Sequence, residues 1–289
     1  MKHAVITGAT SGIGLAAARE LADKGWRVIG VGRDPGRCAA AEAELRSLAP
    51  LAKPVYLVAD LASRRQVLEL AARLRYLLMA DNGGRLEALL HNAATVPAWY
   101  TVTEDGYETQ FAVNHLSGFL LARELEAELV RAAGRIVTTS SASHRGARMR
   151  WADPMFRRLY NPLAAYGQSK LANVLFTIEH NRRKATATGV RAFAVDPGLV
   201  DTAIGEKGGG IVALVWKWRR RGGVAPEVAA RTLVALAARE LEGNDDAPYW
   251  KDLAPIRPSP RALDEADGRR LWELSDRLCG AVSGEGGPR

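Results

Sequence analysis

Six short apolar runs rich in β-formers recur along the chain, at His3 to Thr7, Arg27 to Val31, Pro54 to Ala59, Leu86 to His91, Arg135 to Thr139 and Val190 to Val195. Between them lie longer segments of helical periodicity, near 13–24, 35–48, 63–80, 107–132 and 165–184. Parallel strands need a crossover connection, and a helix packing back onto the sheet supplies one in the right-handed sense. The alternation predicts a single α/β, doubly wound domain over residues 1–289. Its central sheet should be mostly parallel, of about seven strands, flanked by helices and buried on both faces. No internal repeat and no dividing linker interrupts it. Ligands of such sheets bind outside the carboxyl ends of the strands, so the residues there carry the functional reading.

Apolar residues make up 47% and charged residues 25%, a globular balance that excludes a disordered or fibrous chain. A net charge of +8 is compatible with nucleic acid, an anionic surface, a phosphate-bearing ligand, or simply an arginine-rich solvated face. The arginines are dispersed without a recognisable nucleic-acid module, so nucleic acid is not an expected partner. Cys38 and Cys279 stand far apart with no metal-ligand spacing, so neither a disulfide framework nor a metal is expected, and a reducing compartment is. The uncharged stretch from Ala4 to Ala18 is broken by three glycines, lacks a preceding basic run, and is too short to span a bilayer. The expected location is cytoplasmic.

Two regions break the rhythm. Residues 142–165 read as an insertion over the carboxyl edge of the sheet, and 203–224, "GGGIVALVWKWRRRGG" with its flanks, as a substrate lid hinged on glycines. The basic, tryptophan-bearing part at 211–221 would also suit peripheral contact with an anionic membrane.

"VITGATSGIG" runs strand, turn, helix. Glycines let a backbone approach a ligand closely, and the amides opening the next helix favour a pyrophosphate, although tight strand-on-helix packing asks for the same glycines. Gly8, Thr10, Ser11, Gly12, Ile13 and Gly14 are the candidate contacts of a Rossmann-type dinucleotide loop, in a G-x-x-x-G-x-G spacing rather than the commoner dinucleotide G-x-G-x-x-G. At the end of the second run, Gly32 stands where NAD enzymes place a ribose-binding acid, and Arg33 follows. A guanidinium binds a 2′-phosphate through two donors, so NADP(H) is expected over NAD(H). Asp60 and Leu61 close the third run, placed to meet adenine; Asp60 is equally readable as the cap of a helix beginning at Ala62.

Tyr166 and Lys170 lie four apart in "YGQSK", on one helical face. A phenol ionises near pH 10, and an adjacent cation favours the phenolate, which equips tyrosine to exchange a proton with a carbonyl or alcohol oxygen. An isolated pair would be as well explained by an aromatic core residue with a snorkelling lysine.

The pair is not isolated. "TGATSGIG", "HNAA", "NHLSGFLL", "RIVTTSS", "YGQSK" and "VDPGLVDT", in this order, resemble the short-chain dehydrogenase/reductase superfamily from Lys2 to about Gly280. "YGQSKLANVLF" and "PSPRALDEADGRRLWELSDRL" are similar to its retinol dehydrogenase-like branch, which also holds WW-domain oxidoreductases and relatives of protochlorophyllide reductase. The resemblance implies Tyr166 as catalytic acid/base, with Lys170 as its partner and a ligand of the nicotinamide ribose. It implies Ser141, rather than Ser140, as the hydroxyl orienting the substrate oxygen, and Asn114 as anchor of a proton-relay water. Asn92 and Ala93 would line the cofactor cleft, and Pro197, Gly198 and Thr202 its nicotinamide end. The family's usual NNAG is HNAA here; His91 reads as a structural histidine at a strand end. The interval from Ser141 to Tyr166 is long, as in the retinol dehydrogenase-like branch.

Met149, Trp151, Met155, Phe156 and Tyr160 in the insertion are expected to wall an apolar site for a lipophilic substrate. The activity expected is NADPH-dependent reduction of a lipophilic ketone or aldehyde, reversible as alcohol oxidation. A reductase of an activated carbon–carbon double bond is the alternative, and a catalytically silent cofactor-sensing or interaction protein a third. Oligomeric state stays open between monomer and homo-oligomer.

Overall fold

The computed structural model describes residues 1–200, 223–241 and 246–280. Thr202, the 211–221 segment and nearly all of the expected lid lie outside them. The strands are β1 (His3–Thr7), β2 (Arg27–Gly32), β3 (Val55–Val58), β4 (Ala88–His91), β5 (Arg135–Thr139), β6 (Arg191–Val195), β7 (Tyr249–Lys251) and β8 (Ala254–Pro255). They form one sheet of eight strands in the order β3-β2-β1-β4-β5-β6-β7-β8. Every pairing is parallel except β7 with β8. The chain winds outward from β1 to β3, then returns to set β4 beside β1, so the direction of winding reverses between β1 and β4. The crevice at that reversal is where a doubly wound sheet takes its ligand.

Alternation along each strand divides the core in two. Val5, Ile29, Leu89 and Ile136 face α3 (Arg64–Asn82), α5 (Ser117–Glu124), α7 (Pro162–His180) and α10 (Glu265–Cys279). Ala4, Ile6, Val28, Leu90 and Val137 face α1 (Gly12–Asp23), α2 (Pro35–Leu48) and α9 (Pro226–Ala238). Both faces are covered, as an all-parallel core requires.

The structure departs from the sequence expectations at definable points. The eighth strand pairs through only two residues, too short to leave a periodic signal. The helix expected over 107–132 is broken into α4 (Thr109–Phe111), a π-helical turn at Ala112–Leu116, α5, and α6 (Glu126–Ala132). The helix expected from 165 begins earlier, at Pro162, because Asn161 Oδ1 caps it by accepting from the amides of Leu163 at 3.0 Å and Ala164 at 2.9 Å. Beyond His180 it passes through a second π-helical turn into α8 (Thr186–Thr188). Asp60 does not cap α3, since that helix starts at Arg64 and its cap is Ser63, which accepts from Gln66 N at 3.3 Å.

The apolar side chains of the 142–165 segment have partners other than those expected. Met149 and Met155 are buried in the core face shared with α7 and α10, and Phe156 is also buried. Trp151 donates from Nε1 to Asp267 Oδ1 at 2.7 Å and carries the Arg270 guanidinium over its ring. Tyr160 Oη accepts from Gln110 Nε2 at 2.8 Å. These side chains anchor the insertion to α10 and to α4 instead of walling a site, because a long irregular segment needs apolar cover of its own. Among the described residues no helix is long and apolar enough to cross a membrane.

Candidate active site

At the end of β1 the chain turns through Gly8 (φ +67°) and Gly12 (φ +53°), a left-handed backbone that glycine adopts without strain. A Cβ on Gly8 would lie 2.9 Å from Ala93 Cα, and one on Gly14 would lie 2.3 Å from the Gly8 oxygen and 2.6 Å from Asn92 Nδ2. Any side chain at either position would fill the cradle between the β1 and β4 loops. Ser11 opens α1 without a side-chain cap, so its hydroxyl does not compete for the helix's first amides.

Asn92 stitches this crevice together. Its Nδ2 donates to the Thr7 carbonyl at 3.2 Å, and its Oδ1 accepts from Thr139 Oγ1 at 3.2 Å, joining β1, β4 and β5. Thr7, which sequence reasoning missed, accepts on Oγ1 from the amides of Asn92 at 3.0 Å and Ala93 at 3.1 Å. Its place as the last residue of β1 was the available signal.

At the end of β2 a Cβ on Gly32 would sit 2.5 Å from Thr10 Cγ2 and 2.7 Å from Cys38 Sγ. The position where a carboxylate would receive a ribose hydroxyl has no room for a side chain. The neighbouring Asp34 carboxylate caps α2, accepting from Arg37 N at 2.8 Å. Arg33 is exposed beside it, and Arg37, a second missed residue, reaches across to donate to the Thr10 carbonyl at 3.4 Å. Its place in the first turn of α2, three residues after the capping Asp34, was the available signal. Asp60 Oδ1 accepts from Ala62 N at 3.0 Å beside the buried Leu61. Across the crevice, Pro197 and Gly198 (φ +74°) follow β6, and Gly198 N donates to Asp196 Oδ1 at 3.0 Å. A dinucleotide fits these residues: open glycine turns, an uncapped helix start, and the guanidiniums of Arg33 after β2 and Arg37 in the first turn of α2.

The chemistry-bearing side chains meet beside this crevice. Lys170 is 1% exposed, and its Nζ donates to the Thr139 carbonyl at 2.9 Å while lying 5.5 Å from the Tyr166 ring centroid. Burial lowers its ammonium to about 7, so the charge is held loosely at neutral pH. Tyr166 packs against Val96 and Ala98. Ser140 is buried and donates its hydroxyl to the Lys170 carbonyl at 2.9 Å, whereas Ser141 is half-buried and accepts on Oγ from Ser143 N at 3.2 Å. The alternation of a strand end thus turns one serine into the core and the next toward the crevice.

Asn114 occupies the π-helical turn that interrupts the α4 to α5 segment. Such turns recur at functional sites because they displace a carbonyl from the helical ladder. The Asn114 side chain is locked: Nδ2 donates to the Thr95 carbonyl at 3.1 Å and to Ser169 Oγ at 3.0 Å, and Oδ1 accepts from Thr95 N at 2.8 Å. Its main-chain oxygen accepts from His91 Nε2 at 3.1 Å. Burial lowers His91 to about 4, which keeps it a neutral donor. The arrangement can pass a proton between a phenol and an oxygen held near Ser141, with a buried amine behind the phenol.

The sequence model of the short chain dehydrogenase family matches residues 2–209. Retinol dehydrogenase 13 of Homo sapiens is 36% identical over 96% of this chain and 85% of its own length. Polyprenol dehydrogenase of Mus musculus is 37% identical over 98% of this chain and 85% of its own. A crystal structure of a Mycobacterium paratuberculosis protein superposes with a TM-score of 0.76 at 32% identity, covering 96% of this chain and 93% of that one.

Proposed function

Because the chain belongs to the short-chain dehydrogenases, in their retinol dehydrogenase-like branch, we propose that it is an NADPH-dependent reductase of lipophilic ketones or aldehydes, reversible as an alcohol dehydrogenase. The observation that carries the chemistry is the buried Lys170 ammonium 5.5 Å from the Tyr166 ring. A nicotinamide held beside Tyr166 and Lys170 would supply the hydride. Tyr166 gives its phenolic proton to the carbonyl oxygen, and the Ser141 hydroxyl donates a hydrogen bond to the same oxygen as its charge develops. Lys170 stabilises the phenolate left behind. Asn114, fixed between Thr95 and Ser169, holds the end of the route by which the proton is replaced.

The glycine turns and the start of α1 would hold the pyrophosphate, Lys170 the nicotinamide ribose, and Asn92, Ala93, Pro197 and Gly198 the walls of the cleft. Preference for NADP(H) is supported by the closed space at Gly32 and by Arg33 and Arg37. A lipophilic substrate is supported by relatives named for retinol and polyprenol. A location in the cytoplasm belongs to the same proposal, from the isolated, buried Cys38 and Cys279.

The test is Tyr166→Phe assayed by NADPH consumption against ketones and aldehydes of graded size, with NADH in parallel and the products identified. Turnover should vanish while NADPH affinity stays within about twofold, since the phenol contributes to the reaction and little to ground-state binding. Undiminished turnover would overturn the mechanism, and a saturated carbon–carbon product would replace the carbonyl by an alkene.

A further inference from the structure

The short turn that carries Ser141 is held by a buried imidazole. Ser141 precedes a 3-10 turn at Ala142–Gly146, and its main-chain oxygen accepts twice from one residue, from His144 N at 3.1 Å and from His144 Nδ1 at 2.8 Å. On the far side of the ring, Nε2 lies 3.1 Å from the amide of Ser259, a residue 115 positions away. An amide only donates, so Nε2 accepts and the proton sits on Nδ1; the tautomer is set by its partners. His144 is fully buried, and burial lowers its pKa, which keeps this neutral form.

Two further contacts widen the clamp. The Tyr249 ring on β7 meets the imidazole edge to face at 4.8 Å, and its hydroxyl lies 3.3 Å from Nδ1. The charge of Asp196 also acts on this hydroxyl, and the Asp196 carboxylate receives Gly198 N at 3.0 Å. From the C-terminal side, Arg145 Nη2 donates to the Arg257 carbonyl at 2.8 Å and Arg261 Nη1 to the Ala147 carbonyl at 2.9 Å. The turn is therefore braced by two segments from elsewhere in the chain, Tyr249 on β7 and the stretch from Arg257 to Arg261.

We propose that His144 is a positioning residue for the reaction: through Nδ1 it fixes the Ser141 backbone beside Tyr249 on β7, and through Nε2 it ties that register to the Arg257–Arg261 segment. The inference rests on the role given above to Ser141. A hydroxyl that must meet a developing charge tolerates displacement of only about half an ångström, and a misplacement of about 1 Å costs up to a hundredfold in rate.

Two replacements separate the halves of the ring. His144→Asn keeps a donor where Nδ1 stands and lacks reach toward Ser259; His144→Gln keeps an acceptor for the Ser259 amide and leaves the Ser141 oxygen without its side-chain donor. His144→Gln should lower kcat roughly tenfold or more with NADPH affinity unchanged, while His144→Asn keeps kcat within about threefold even if its melting temperature falls further. Losses of kcat that merely follow the melting temperatures of the two variants, or an unchanged kcat in His144→Gln, would overturn the proposal.

A cycle with Ser141→Ala, read in single-turnover assays at high enzyme concentration, separates the premise from the inference. Full activity in Ser141→Ala alone would remove the role of Ser141 itself. If that variant is impaired, adding His144→Gln should cost nothing more, and a further tenfold loss would show that His144 does not act through Ser141.

Discussion

His91 donates from Nε2 to the main-chain oxygen of Asn114 at 3.1 Å, joining the end of β4 to the π-helical turn ahead of α5. Within that turn the Ser117 amide reaches back to Ala112, one residue further than in an α-helix, so the ladder is shifted where Asn114 sits. The imidazole that replaces the family's asparagine thus tethers the backbone of a candidate relay residue. It is the packing role expected of a strand-end histidine, directed at the candidate active site.

The ring fits only because residue 118 has no side chain. A Cβ on Gly118 would stand 2.3 Å from His91 Cδ2 and 2.4 Å from Cγ. Gly118→Ala should therefore cost about 1–3 kcal/mol of stability, the range for overpacking a closed core. Adding His91→Asn should recover much of the loss, and thermal melts of the two single variants and the double variant measure it. Simple additivity would contradict the packing argument.

All five histidines of the chain, His3, His91, His115, His144 and His180, have their pKa lowered, with desolvation by burial the largest cause. His91 and His180 fall to about 4 and His115 to about 3. Each binds its proton more readily unfolded, near pH 6.5, than folded, so acid favours unfolding between pH 6.5 and the folded values. Each of these three removes about 1.4 kcal/mol per pH unit across that window. Glu108, raised by burial, opposes this at lower pH and offsets a part. Urea titrations should show several kcal/mol lost from pH 7.5 to pH 5; a flat profile would refute the burial assignments.

Lys170 shows the cost of placing an amine in a dry site. Its pKa falls to about 7 through burial, against an unfolded value near 10.4, so the unfolded chain binds the extra proton below pH 10.4 and folding is disfavoured at neutral pH. Lys170→Met should raise the melting temperature by roughly 2 °C or more while abolishing turnover. A variant that is both inactive and less stable would indicate that the bond from Nζ to the Thr139 carbonyl outweighs desolvation.

Cofactor preference should respond to two guanidiniums. Arg33→Ala is expected to weaken NADPH by about ten- to a hundredfold with NADH nearly unchanged, the scale of a charge-assisted hydrogen bond. Arg37→Ala should act in the same direction and more weakly, since that side chain also holds the Thr10 carbonyl. Equilibrium titrations with both nucleotides decide it; parallel losses for NADPH and NADH would defeat the 2′-phosphate assignment.

What the sequence determined by itself was local. β1 runs over His3–Thr7 as expected because its alternation and the glycines after it lie within a dozen residues. Tyr166 and Lys170 were legible as a pair because one helical turn brings them together. The tertiary structure decided what depends on partners far along the chain. Ser140 is tied to Lys170, 30 residues on, which leaves Ser141 at the crevice; His144 finds Ser259, 115 residues on. Trp151 finds Asp267, so side chains that read as a substrate wall serve as an anchor. Periodicity states which face a residue shows and not what stands opposite it, and strands as short as β7 and β8 have too few residues to show even that.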